Sequence, residues 1–184
     1  MIDYSKFLNN SIQEIKPSGI RKFFDIASEM DDVISLSIGE PDFQTPWHIR
    51  EEGINSLKNG KTWYSPNRGF AQLREEIANY YARRFNISYE GKTQVLVTVG
   101  GSEAIDLAFR CLVSEGDEVI IPEPSFVCYE PLTHMAGGKA VIINTKAEDQ
   151  FRLKADDLEK AITDKTKLVV LPFPNNPTGA IMEK

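Results

Sequence analysis

From about residue 94 onward, the chain alternates between short apolar runs and longer amphipathic segments. The apolar runs are rich in β-branched residues and almost continuous in apolar character, as expected of strands that are buried on both faces. We predict strands at residues 94–99, 118–121, 140–144 and 168–171. Because strand, helix and strand in succession form a βαβ unit, this pattern predicts an α/β fold with a mainly parallel sheet.

Helices are predicted between these strands, where hydrophobic positions recur at helical spacing. They cover residues 102–113, part of 126–135, and 155–162, in which Leu158 and Ile162 are four residues apart. Right-handed crossover connections place such helices on the faces of the sheet. The predicted sheet is therefore covered by helices.

Before residue 94, the strongest pattern is an amphipathic helix over residues 68–85. Leu73, Ile77, Tyr81 and Phe85 recur every four residues with charges between them, so this helix is expected to pack on a large surface. The other predicted elements are a helix at residues 20–30, a strand at 33–38, a turn at 39–43 and a helix at 46–57.

The composition is that of an ordinary soluble globular protein, with 41% hydrophobic and 26% charged residues. The formal net charge of −6 and the pI near 5.1 argue against a broad basic surface, so nucleic acid is not an expected partner. The first thirty residues lack the apolar run of a signal peptide or membrane span. We therefore expect a cytoplasmic protein without a membrane partner.

The cysteines and histidines do not indicate a metal site. Cys111 and Cys128 lie in apolar stretches without ligand spacing, and we expect both to be buried, reduced thiols. His48 and His134 are far apart and have no Cys, Asp or second His at ligand spacing. No metal centre is predicted.

A glycine-rich junction joins the strand predicted at residues 94–99 to the following helix. Gly100 and Gly101 allow a tight turn, Ser102 is a natural helix N-cap, and the amides of the first helical turn face any anion bound there. The junction has neither the lysine of a P-loop nor the spacing of a dinucleotide fingerprint. It predicts an anion site, with a plain helix cap as the alternative interpretation.

Two proline-rich loops, residues 122–129 and 172–179, follow predicted strands. They therefore lie at the carboxyl edge of the sheet, where open α/β proteins bind ligands. In the first loop, Phe126 either stacks on a planar ligand or belongs to the core. In the second loop, Asn175 and Asn176 between prolines present a side-chain amide at a fixed place. X-Pro bonds in both loops are candidates for cis geometry.

These elements, in this order and spacing, resemble the class I/II aminotransferases among the fold-type I pyridoxal-phosphate enzymes. Besides the glycine turn and Asn175-Asn176-Pro177-Thr178-Gly179, the similar motifs are Ser37-Ile38-Gly39-Glu40-Pro41-Asp42-Phe43, Tyr64-Ser65-Pro66 and Gly69-Phe70-Ala71-Gln72-Leu73-Arg74. The resemblance implies an incomplete three-layer α/β/α large domain. A mild composition shift, between the polar arm before residue 33 and the apolar alternation after residue 94, predicts a boundary near residue 45. The N-terminal arm and small-domain segment then cover residues 1–45, and the first part of the large domain covers residues 46–184.

The resemblance implies five residues that bind the cofactor, pyridoxal 5′-phosphate, and four of them bind it in their own subunit. The amides of Gly101 and Ser102 would hold its phosphate, and Phe126 would stack on its pyridine ring. Asn176 would donate a hydrogen bond to the phenolic oxygen O3′, which favours the ionised form of that oxygen.

Two further residues are implied in substrate binding and in assembly. Gly39 matches a glycine whose backbone approaches the substrate, so a side chain there should block binding. Tyr64 matches a tyrosine that reaches the cofactor phosphate of the neighbouring subunit. The expected assembly is therefore a homodimer with shared active sites.

The implied reaction transfers an amino group from an amino acid to a 2-oxo acid. It needs a Schiff-base lysine, which in the family lies well downstream with an Asp for the pyridinium nitrogen and arginines for phosphate and carboxylate. None of these motifs occurs in residues 1–184, and Lys184 follows Gly179 too closely to be that lysine. We therefore expect this chain to be the N-terminal part of an enzyme, without a catalytic residue and inactive alone.

Three other functions remain open at this point. A lyase or synthase of the same fold would use the same cofactor for elimination, because the residues above serve cofactor binding more than the choice of reaction. A regulator would bind pyridoxal phosphate through an aminotransferase-like domain, but the 38 residues before Gly39 are too few for a helix-turn-helix domain. A structural module of this length would leave a hydrophobic strand edge unpaired.

Overall fold

The structure is a computed structural model that describes residues 5–13, 15, 23, 26, 29–30, 32, 34, 39 and 41–183. It divides into two compact units, Met1–Pro17 with Thr98–Lys184, and Ser18–Val97. The helix predicted at residues 20–30 and the strand predicted at 33–38 lie for the most part outside the described residues. The predicted domain boundary near residue 45 stays a prediction.

Helices and strands alternate along the described chain. The helices are α1 (Asn10–Gln13), α2 (Trp47–Lys58), α3 (Ala71–Phe85), α4 (Gly101–Leu112), α5 (Tyr129–Met135) and α6 (Ala155–Ala161). The strands are β1 (Glu118–Glu123), β2 (Lys139–Asn144) and β3 (Thr166–Val169), and 3-10 turns lie at Ser5–Phe7 and Ala147–Asp149. Each helix predicted from residue 46 onward is present, with its ends displaced by a few residues at most.

Strand β1 is the centre of a parallel sheet with the order β2-β1-β3. Val119 of β1 pairs with Ala140 of β2 on one side and with Leu168 of β3 on the other. Val119, Ile120 and Ile121 are at most 1% exposed, so this β-branched run forms the middle of the core. The predicted parallel α/β sheet is confirmed.

Apolar clusters cover both faces of β1, because successive side chains of a strand point to opposite sides. Val119 and Ile121 pack in one cluster with Phe109 of α4. Ile120 packs in the other with Leu153, next to the partly buried Leu158 of α6. Helices therefore lie on both sides of the sheet, as a fully buried central strand requires.

The strand predicted at residues 94–99 is not formed, and the prediction is wrong for this structure. The amide of Val97 donates to the carbonyl oxygen of Arg68 at 3.1 Å, whereas the sheet consists of β1 to β3 alone in the described part of the chain. A β-branched run becomes a strand only where a neighbouring strand supplies repeated backbone hydrogen bonds. The side chain of Val99 is 93% exposed, which fits a run without such a partner.

In the unit Ser18–Val97, α3 carries the predicted amphipathic pattern. Ala78 is buried, and a row of aromatic rings, with neighbouring centroids 5.4–6.0 Å apart, continues from the helix to Tyr89. Leu73 and Phe85 remain 45% and 52% exposed. The helix is confirmed, and the large surface that it packs on stays a prediction.

Both cysteines are free thiols, but the expectation that both are buried is wrong. Cys111 is exposed and Cys128 is half-buried. Two residues correspond to about 200° of rotation around a helix, so Cys111 faces away from the buried side chain of Phe109 on α4. No cluster of three or more metal-ligating side chains occurs among the described residues. In the same residues, no helix has the length and apolar character needed to cross a membrane.

Candidate active site

The start of α4 and the loops after β1 and β3 lie at one edge of the sheet. Because β1 and β3 are parallel, both loops leave from the carboxyl edge. Helix α4 leads into β1 through a short turn and therefore runs opposite to it, which places the N-terminus of α4 at that same edge. Four predicted cofactor residues are carried by these three segments: Gly101, Ser102, Phe126 and Asn176.

Gly100, not Ser102, occupies the N-cap position of α4, so the predicted capping role of Ser102 is wrong. Gly100 has φ 89° and ψ 165°, a conformation that a side chain would strain, and the helix begins at the next residue. No side chain caps the helix at Gly100. Instead, the Glu103 carboxylate accepts a hydrogen bond from the amide of Val99 at 2.5 Å, which ties the first turn to the preceding chain.

The amides of Gly101 and Ser102 are open at the start of this helix. Amides in a first helical turn have no acceptor within the helix, and the helix dipole gives them partial positive charge. A Cβ atom built on Gly100 or Gly101 would meet nothing within 4 Å, and Ser102 is exposed. This arrangement of backbone donors suits an anion such as a phosphate.

Phe126 follows β1 after a cis peptide bond between Glu123 and Pro124. The ring is half-buried and meets Tyr129 edge to face, with centroids 6.2 Å apart and the planes at 82°. It belongs to neither apolar cluster of the core, so the interpretation of Phe126 as a core residue loses support. A ring at this edge has area available for a planar ligand.

Asn175 and Asn176 follow β3 and have opposite exposure. Asn175 is 8% exposed, whereas Asn176 is exposed and its amide makes no hydrogen bond to the described residues. The peptide bonds before Pro174 and Pro177 are cis. The Asn175 side-chain oxygen accepts hydrogen bonds from the amide and the hydroxyl of Thr178, at 3.1 and 2.8 Å. The loop thus leaves the Asn176 amide free to donate.

Two titratable groups beside Phe126 are held in their neutral forms. Burial raises the pKa of the Cys128 thiol. Burial, and then the nearby charge of Cys128, raises the pKa of the Tyr129 hydroxyl. Neither side chain therefore brings negative charge to this edge at neutral pH, which favours the binding of an anion.

Gly39 and Tyr64 belong to the other unit, Ser18–Val97. Gly39 is exposed, and a Cβ atom built there would meet nothing within 4 Å. Tyr64 is 100% exposed. The structure thus gathers four of the six predicted site residues in one unit, and the roles of Gly39 and Tyr64 stay predictions.

Sequence reasoning named Asn175 beside Asn176, but it did not predict that Asn175 and Thr178 together shape the second loop. A signal for them was present, since an Asn whose side-chain oxygen meets a nearby backbone amide is a common device of turns. It also missed Glu103, although a Glu at the third helical position often bonds back to the chain before the helix.

Comparison with known proteins decides the family. The sequence model of the family described as aminotransferase class I and II matches residues 31–184. The chain belongs to this family. The putative aminotransferase YugH of Bacillus subtilis is 49% identical to this aminotransferase chain over 180 residues, covering 98% of the chain and 47% of the relative. Aromatic-amino-acid aminotransferase 2 of Thermococcus litoralis is 44% identical, covering 96% of the chain and 46% of the relative.

A solved structure gives the same result for the fold. The aspartate aminotransferase from Thermus thermophilus with maleate superimposes with a TM-score of 0.88 at 36% identity, covering 96% of this chain and 47% of that one. This confirms the resemblance and the fold class of an incomplete fold-type I α/β domain. This class I/II aminotransferase chain spans about half the length of the curated relatives it matches.

Proposed function

We propose that the whole protein is a pyridoxal-phosphate-dependent aminotransferase that transfers an amino group from an amino acid to a 2-oxo acid. One observation carries the proposal: open helix amides, a half-buried aromatic ring and an unpaired side-chain amide lie on three segments at one sheet edge. Membership of the class I and II aminotransferases, whose members use this cofactor, supports it.

The residues present at this edge fit the cofactor. Gly101 and Ser102 offer backbone donors with open space beside them, which suits the phosphate group. Phe126 offers an apolar ring for the pyridine face, and Asn176 offers an amide donor for a phenolic oxygen. Each contact uses a group without a competing hydrogen bond among the described residues.

Pyridoxal phosphate, when bound, supplies an electron sink for chemistry at the α-carbon of the substrate. The residues of this chain bind and orient it. The backbone amides of Gly101 and Ser102 would hold its phosphate at the start of α4. Phe126 would cover one face of the pyridine ring and keep water from it. Asn176 would donate a hydrogen bond to O3′ and would thereby favour the ionised form of that oxygen.

The remaining roles are proposed from the family motifs. Gly39 lets the backbone approach the substrate, and Tyr64 reaches the cofactor phosphate in the neighbouring subunit of a homodimer. The protein acts in the cytoplasm without a nucleic acid or membrane partner, in line with its net charge of −6. The relatives named above include aminotransferases for aromatic amino acids and for aspartate, so both donor classes belong in the test.

The test uses the whole protein with added pyridoxal phosphate. We expect a visible absorbance that changes when an amino donor is added and returns with a 2-oxo acid. Asn176→Ala should lower kcat/KM about 10-fold, the loss expected of one hydrogen bond to a charged group. Asn144→Ala, an exposed asparagine at the end of β2, is the matched control and should leave activity unchanged.

Two results would contradict the proposal. A whole protein without any spectral response to the cofactor is not an aminotransferase. Release of an elimination product, with no amino group recovered on the 2-oxo acid, would favour the lyase or synthase of the same fold. Product analysis with aspartate, phenylalanine and 2-oxoglutarate separates these outcomes.

A further inference from the structure

We propose that Asn175 is a positioning residue of this site. It bonds the loop that carries Asn176 to the loop that carries Phe126, so that the ring contact and the O3′ donor keep one geometry. The inference rests on the proposed function, because it concerns how two predicted cofactor contacts are held.

The side chain of Asn175 uses both of its functional atoms. Its Nδ2 donates to the carbonyl oxygen of Pro124 at 3.2 Å, across 51 residues of sequence. Its Oδ1 accepts from the amide and the hydroxyl of Thr178 at 3.1 and 2.8 Å. Since Asn175 is 8% exposed, water does not readily replace these bonds.

The bond to Pro124 is the direct link between the two loops. Pro124 lies two residues before Phe126, and Asn175 lies immediately before Asn176. Within the described residues, no other hydrogen bond joins the loop at residues 122–129 to the loop at 172–179. Movement of either loop therefore changes the position of Phe126 relative to Asn176 unless this bond holds.

The backbone around Asn175 completes a closed turn. Its amide donates to the carbonyl oxygen of Ala180 at 2.8 Å, and its carbonyl oxygen accepts from the amide of Gly179 at 2.8 Å. The Thr178 hydroxyl also accepts from the amide of Ala180 at 3.2 Å. The turn is fixed within itself, so the Asn175 side chain orients the turn as one body against Pro124.

Only a side chain with both a donor and an acceptor meets these demands at this size. Aspartate keeps the acceptor for Thr178 but places a second oxygen against the Pro124 carbonyl. Alanine removes both links and leaves partners unpaired. Asn175→Asp therefore tests the bond between the loops separately from the bond within the turn.

The experiment is a double-mutant cycle in the whole protein loaded with pyridoxal phosphate. The variants are Asn175→Ala, Asn176→Ala, the double variant, Asn175→Asp and the exposed control Asn144→Ala. Two readouts other than activity are the pH midpoint of the visible cofactor absorbance and the dissociation constant of the cofactor. Thermal unfolding of the cofactor-free protein measures the structural effect.

Loss of the donor to O3′ disfavours the ionised oxygen, so Asn176→Ala should raise the pH midpoint by about 0.5–1 unit. If Asn175 acts through Asn176, then Asn175→Ala raises the midpoint in the same direction but has no further effect in the Asn176→Ala background. Asn175→Asp should raise it too. Cofactor affinity should fall about 5- to 10-fold in Asn175→Ala.

The outcomes distinguish this inference from the proposed function. A wild-type protein without visible absorbance on adding cofactor overturns the proposed function and this inference with it. A normal wild-type spectrum, with Asn175 variants that lower only the unfolding temperature, overturns the positioning role alone. Equal spectral shifts from Asn175→Ala with and without Asn176 would also overturn it, because the residue would then act independently.

Discussion

Among the residues that the structure describes, the buried polar side chains are Glu118, Thr133 and Asn175. Each one is paired with hydrogen-bonding partners, as buried polar groups generally are. Thr133 donates to the carbonyl oxygen of Tyr129 at 2.8 Å, within α5. Glu118 and Asn175 instead join segments that are distant in the sequence. At this scale, polar side chains fix loops that the apolar core does not cover.

Glu118 gives a prediction for the pH dependence of stability. The Thr163 hydroxyl donates to its carboxylate at 2.7 Å and Lys139 at 3.2 Å, and these bonds lower the pKa of Glu118 from its usual value of 4.5. Because the pKa of Glu118 is lower in the folded state than in the unfolded state, the ionised carboxylate stabilises the fold at pH values above the unfolded-state pKa. This stabilisation is lost as the pH falls through the folded-state pKa. The protein should therefore lose stability on acidification below about pH 4.5.

The variant Glu118→Gln isolates this effect. It keeps the size of the side chain and removes its charge, so the whole protein should unfold at lower urea concentration at pH 7. The difference from wild type should narrow as the pH approaches 3. Glu159→Gln, at an exposed position of α6, should behave as wild type. An unchanged difference at both pH values would show that the Glu118 charge is not responsible.

At the scale of elements, the sequence predicted the parallel sheet because local pattern and tertiary environment agree there. The run from Val119 to Ile121 is β-branched and also lies in the core. A similar run at residues 94–99 does not form the predicted strand, since no strand lies beside it in the described structure. Ser102 is not the N-cap because Gly100, two residues earlier, has the conformation that sets the start of α4. Both incorrect predictions, the strand and the cap, have a cause that the local sequence pattern does not contain.

The connection from α5 to β2 depends on the size of one glycine. A Cβ atom on Gly138 would lie 2.5 Å from Cγ1 of Val113 and 3.2 Å from the carbonyl oxygen of Asp117. The amide of Gly138 donates to the carbonyl oxygen of Thr133 at 2.9 Å, so the turn cannot move away without losing a bond. Gly138→Ala should therefore destabilise the protein by about 1–3 kcal/mol.

Urea unfolding of the whole protein measures this cost. Gly53→Ala in α2 is the matched control, because a Cβ atom there meets nothing within 4 Å. Alanine is the better helix former, so the control should be neutral or stabilising by up to about 1 kcal/mol. Equal stability of the Gly138 variant and wild type would mean that Val113 repacks freely.

At the scale of the molecule, the predicted site divides along the two units of the chain. The positions of Gly101, Phe126 and Asn176 at one sheet edge followed from the order of strands and loops, which the sequence carries. The link between Asn175 and Pro124 did not, because it joins residues 51 apart through a side chain whose orientation depends on the folded loops. The spacing of strands and loops in the sequence predicts which residues lie at the carboxyl edge of the sheet. Which of their atoms form hydrogen bonds there depends on the folded loops.

Tyr64 gives the prediction for the assembly. Its side chain is 100% exposed and belongs to the unit Ser18–Val97, whereas Asn176 belongs to the unit of the sheet. If Tyr64 serves the partner's site in a homodimer, the two residues of one chain act in different sites. Mixed dimers of Tyr64→Ala and Asn176→Ala chains then contain one site with both defects and one intact site.

Tyr64 acts either across the dimer interface or within its own chain. The two possibilities predict different activities for the mixed dimers, so measuring those activities distinguishes them. Dimers carrying two different affinity tags, purified by both, should retain about half of the wild-type kcat per dimer if Tyr64 acts across the interface. Dimers of a wild-type chain with a chain that carries both substitutions then have one defect in each site. Their kcat per dimer should be below half of the wild-type value. If Tyr64 acts within its own chain, the order reverses, because the doubly substituted chain concentrates both defects in one site. A monomeric protein gives no doubly tagged species and contradicts the proposed homodimer directly.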